Sequence, residues 1–118
     1  MYRIEDLRFP HRFWNLRNSM EIFFQKENPE TGHAWLHDLI EDLAEIGCST
    51  QESGRQVGIL LRDQLEAAAL DEFGEVFRKV VDGSEPFDSW VAWNRHPLWS
   101  ETVKRARRVV NLMSEPQR

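Results

Sequence analysis

One cysteine, one tyrosine and five prolines stand among the 118 residues. A lone Cys48 excludes a disulfide within the chain, and there is no CxxC or Cys/His spacing of a zinc module. No apolar run approaches the ~18 residues that suggest a membrane span. The first residues, MYRIEDLRF, lack the apolar stretch of a signal peptide, so the expected location is cytoplasmic. G-x-S-x-G, P-loop and G-x-G-x-x-G sequences are missing, which removes the commonest motif-borne hydrolase and nucleotide chemistries. Cations of the lysine and arginine type are absent from Glu27 to Gly54.

That gap holds Glu27, Glu30, Asp38, Glu41, Asp42, Glu45 and Glu52, while Lys104, Arg105, Arg107, Arg108 and Arg118 crowd the far end against Glu115 alone. Net charge is −5, so one part of the molecule is expected to be acidic and another basic. Overall acidity argues against nonspecific DNA binding and suits a cationic partner. A residue content 41% hydrophobic and 30% charged is that of a folded globule, and nothing marks a boundary inside a single domain over 1–118.

The periodicity predicts an all-α fold: four helices and one short extra helix. Pro10 opens the first, with Phe13, Leu16, Met20 and Phe23 at three- and four-residue steps, running to about Lys26 before Asn28-Pro29 stops it. Thr31 caps the second, whose apolar stripe is Leu36, Leu39, Ile40, Leu43 and Ile46, and Gly47 supplies a left-handed end. CSTQESGRQ reads as a loop, with a capping box at Ser49-x-x-Glu52 as the rival. VGILL at 57–61 is too short for its spacing to separate helix from a short extended segment. Asp63-x-x-Glu66 caps the third helix, which ends at Asp82-Gly83. Asp88 caps the short one, through Trp93. Pro97 opens the last, with Trp99, Val103, Ala106, Val110 and Met113 as its seam.

Several of these stretches occur together elsewhere: Phe9-Pro10, WLHDLIEDL at 35–43, Val57-Gly58-Ile59-Leu60-Leu61, the acid-led helix from Asp63, and Pro97-Leu98-Trp99 with Val103. The set resembles a group of short bacterial proteins of unknown function, some of which are similar to immunity-type or contact-partner proteins. The stretch Trp93-Asn94-Arg95 departs from that pattern. The resemblance implies a partner-binding role and no catalytic residues.

Three constellations bear on function. Asp38, Glu41, Asp42 and Glu45 lie on the solvent side of the second helix, opposite Leu39 and Leu43. A solvated face offers no burial to separate two carboxyl pKa values for acid/base work, and calcium needs a glycine-centred loop. As a recognition surface for a basic protein the four acids fit, because charged faces steer association. The second constellation is His33, His37 and Glu41 at i, i+4, i+8, a spacing that steps only about 40° per pair and keeps them on one helix face, where a metal could bind. The zinc-protease pattern fails, since Ala34 and not a glutamate follows His33; His11 or His96 would have to complete the set. The third is the tryptophan-rich stretch, in which Trp90, Trp93, Arg95, His96 and Trp99, with Asn94, could wall a ligand pocket. The five tryptophans, with Trp14 and Trp35 on the first two helices, read first as an aromatic core. No resident cofactor is implied beyond that candidate metal. The KRARR run at 104–108 lacks interleaved aromatics and a helix-turn-helix spacing, so nucleic acid is not expected, whereas the acidic region of a second copy, giving a homodimer, would suit it.

Overall fold

Helices form where the apolar steps of three and four residues require them, and the computed structural model describes residues 2–24 and 33–116. α1 is Pro10–Met20, α2 His33–Ile46, α3 Gln64–Asp82, α4 Trp90–Arg95 and α5 Trp99–Ser114. Among the described residues no strand forms, and the domain is all-α with four longer helices and one short one. α5 is the hub, packing against α3, α1 and the 3-10 turn Glu21–Phe24 that continues α1. Lys26, Asn28-Pro29 and the Thr31 cap lie outside the described residues.

The core is built from most of the expected stripe residues; Ile40 of α2 is only half-buried, and Leu65 of α3, which its type and spacing also place inside, is exposed. Phe13, Leu16 and Met20 of α1 share one buried cluster with Leu70, Phe73 and Val80 of α3 and Ala106, Val110 and Met113 of α5. Phe23 sits at the centre of an aromatic cluster, with ring centroids 5.0 Å from Phe73, 5.2 Å from Phe77 and 6.5 Å from Trp93. Such edge-on and offset arrangements add specificity to the burial of large apolar area. α2 is attached by one stripe: Leu36, Leu39, Leu43 and Ile46 are buried, and the residues between them are not.

Gly47 ends α2 with φ +96°, the left-handed geometry a β-carbon resists, and its N–H returns to the carbonyls of Leu43 and Ala44. The turn that follows presses on α3 at Gly74, where a β-carbon would stand 2.3 Å from the Cys48 carbonyl oxygen. Residues 49–51 form this turn and Ser53–Gln56 a 3-10 turn, so no helix starts at Ser49 and Glu52 pairs instead with Arg55 at 2.6 Å.

Four expectations are corrected. Residues 57–61 are a tight turn rather than an extended segment: the Gly58 N–H donates to the Leu61 carbonyl, and Gly58 and Ile59 accept from the N–H groups of Arg8 and Phe9. The N-cap of α4 is Ser89, whose hydroxyl accepts the Ala92 N–H, and the helix runs on to Arg95. α5 begins at Trp99, with Leu98 in the capping position, so Pro97 precedes the helix without opening it. Within α5 the buried position is Thr102, its hydroxyl bonded to the Leu98 carbonyl, while Val103 is only half-buried.

Candidate protein-interaction surface

α2 carries its four acids where the helix geometry puts them. With Leu36, Leu39, Leu43 and Ile46 turned inward, the steps of 100° place Asp38, Glu41, Asp42 and Glu45 outward, and all four are exposed. Glu41 meets His37 Nε2 at 2.9 Å. Among the described residues no cation pairs with Asp38, Asp42 or Glu45. The acids also sit against the local field: α2 has none in its first turn and no basic residue in its last, so its negative charge gathers toward the helix end that favours cations.

On the α3 and α5 side, the glutamates are matched by arginines. Arg108 reaches Glu72 at 2.7 Å; Arg105 bonds Glu101 at 3.0 Å and the Glu72 carbonyl at 2.7 Å, with Glu75 at 3.7 Å. Arg107 lies over the Phe24 ring at 5.1 Å. Most of the basic run is therefore engaged within the fold.

The remaining candidates separate. His33 heads α2 and its side chain lies outside the described residues; His37 and Glu41 form one exposed contact. Among the described residues no three His, Cys, Asp or Glu side chains are arranged to hold a metal ion. His11 lies beside Phe9 and His96 in the α4–α5 corner, where its Nδ1 accepts the Leu98 N–H at 3.0 Å. Trp93 is fully enclosed, its indole N–H donating to the Phe87 carbonyl at 2.7 Å; Trp90 and Trp99 stand edge to face at 5.1 Å. The Asn94 amide turns back to the Trp90 carbonyl, and Arg95 points outward. None of five concavities on the described surface is lined by Trp90, Trp93, Arg95, His96 or Trp99. The tryptophans of this stretch pack into the core, but Trp14 belongs to the surface, and the Trp35 side chain lies outside the described residues.

One pair escaped the sequence reading. Arg62 and Glu66 are both buried, the guanidinium held to the carboxylate by two contacts of 2.8 Å. Asp63 caps α3 by accepting the Glu66 N–H, whereas the Glu66 carboxylate accepts the Arg62 backbone N–H at 2.6 Å. Arg62 also donates to the carbonyls of Leu112 and Glu115 and lies over the Phe13 ring. The i, i+4 spacing of opposite charges beside VGILL was the available signal. Cys48 is inert: burial, with the Asp71 carboxylate adding to it, pushes its thiol from 9.0 up to about 12, and its Sγ donates to the Leu43 carbonyl.

No family model, curated protein or solved structure matches the chain. No described helix is long and apolar enough to cross a membrane.

Proposed function

We propose that this chain is a non-catalytic interaction protein that presents the acidic face of α2 to a basic protein partner in the cytoplasm. One observation carries the reading: Asp38, Asp42 and Glu45 are exposed and form no ion pair among the described residues, while Glu72 and Glu75 of α3 face Arg108 and Arg105. Glu41 and Asp42 stand next to each other, and Asp38 and Asp42 are four apart, as are Glu41 and Glu45; such like-charge spacing on a helix costs stability. A local cost with no internal return is what a binding face leaves behind in a free protein. The sequence resemblance to immunity-type proteins supports a toxin-neutralising form of this role. The deciding experiment is affinity capture from the source cells with the wild type and with Asp38, Glu41, Asp42 and Glu45 all replaced by lysine. A basic protein identified with the wild type must be lost with the variant; the same protein recovered by both removes the proposal.

A further inference from the structure

The acidic ridge of α2 is bordered on one side by an apolar groove. Leu43 forms its floor with Phe77 and Cys48; Ile40 and Ala44 of α2 face Val81 of α3 across it, and the volume is about 180 Å³. On α2 the residues His37, Ile40 and Ala44 follow one another at i, i+3, i+7, so they share a flank between the buried stripe and the acids. The flank is only partly covered: Ile40 and Val81 are half-buried and Ala44 exposed. On the same flank of α2, one turn before Ile40, the His37 ring lies 5.8 Å from that of Phe87, which remains 45% exposed. Glu41 and Glu45 stand along the same edge of α2, and the opposite lip is closed by Arg78 paired to Asp82 at 3.7 Å.

We infer that this groove between α2 and α3 seats the apolar face of a cationic amphipathic helix, whose lysines or arginines lie over Glu41, Glu45 and their neighbours. The inference rests on the reading of the acidic face as a partner surface and specifies what the partner brings to it. Charge complementarity selects the occupant: the free charge beside the groove is negative, and Arg78 is already engaged. Unpaired acids alone attract any polycation, with weak geometric preference and strong salt dependence. A dry anchor beside the charges supplies what they lack, since interface energy concentrates where an apolar side chain fills a pocket and charges form the rim. Grooves between two helices receive such ligands at i, i+3, i+4, i+7 spacing.

The test uses two synthetic helical peptides of equal charge, one with lysines on one face and leucines on the other, one with glutamines in place of the leucines. Binding is read by fluorescence polarisation at physiological salt. The lysine–leucine peptide is expected to bind the wild type roughly tenfold more tightly, the equivalent of about 1.4 kcal/mol. Ala44→Glu, at an exposed position, sets the two effects against each other. It adds an acid to the ridge and a charge to the groove, so it should weaken the leucine peptide and leave the glutamine peptide unchanged or tighter. Equal affinity of the two peptides, or tighter binding of both to the Ala44→Glu variant, overturns the groove and leaves the acidic face standing. If the fourfold lysine variant binds both peptides as the wild type does, or if the wild type binds neither, the acidic-face reading itself falls.

Discussion

α2 and the pair α3–α5 both carry many charges and handle them in opposite ways. On α3 and α5 each of Glu72, Glu75 and Glu101 has an arginine within reach, and α3 places Glu66 in its first turn and Lys79 in its last, in line with its dipole. α2 has neither an acid in its first turn nor a base in its last, and Asp38, Asp42 and Glu45 form no ion pair among the described residues. Of the arginines, Arg105 and Arg108 turn to the acids of α3, and none lies within ion-pair distance of Asp38, Asp42 or Glu45 among the described residues. Composition therefore says little about where a charged surface is open, because that depends on which helices become neighbours.

The contrast can be broken first at its most internal member. Arg62→Met leaves the Glu66 carboxylate buried without its cation, and denaturant unfolding should register a loss of about 3–5 kcal/mol. Adding Glu66→Leu to the same variant should recover part of that loss; no recovery would mean that the bonds of Arg62 to α5 matter more than the pair. A smaller effect is expected at the surface network. Glu72→Ala removes the partner of Arg108 and should cost about 0.2–1 kcal/mol, shrinking as salt is raised. The smallest change carries the opposite sign. Asp38→Asn combined with Asp42→Asn relieves a repulsion at i, i+4, and at low salt the protein should gain about 0.2–0.5 kcal/mol. A loss of stability in that last variant would mean that the acids of α2 are held within the fold after all.

Much of the architecture was legible from spacing alone. The stripe of α1, that of α2 apart from Ile40, the left-handed Gly47 and the Asp63 cap follow from periodicity and backbone preference, which act within a few residues. The exposure of Asp38, Glu41, Asp42 and Glu45 followed for the same reason: it is fixed once Leu39 and Leu43 face inward. What failed was decided over longer distances or between near-equivalent neighbours. Asp88 and Ser89 are both good caps, and only the path of the chain selects the second. Trp14 looks like core by type yet faces outward, because Phe13 beside it takes the interior position. That the acids of α2 are uncompensated could not be read, since it required knowing that Arg105 and Arg108 turn to α3. The groove beside them was equally hidden, being formed by Ile40 and Val81 from helices whose juxtaposition no local rule sets.

α5 has no basic residue in its last turn, where the Ser114 hydroxyl bonds back to the Val110 carbonyl. The Leu112 carbonyl accepts the Glu115 N–H and a second bond from Arg62, a donor 50 residues upstream that also reaches the Glu115 carbonyl. The closing punctuation of the last helix is thus written in the turn before α3, so a peptide copied from α5 alone should fray at that end. A residue far away in the chain makes the terminus of one helix answerable to the start of another.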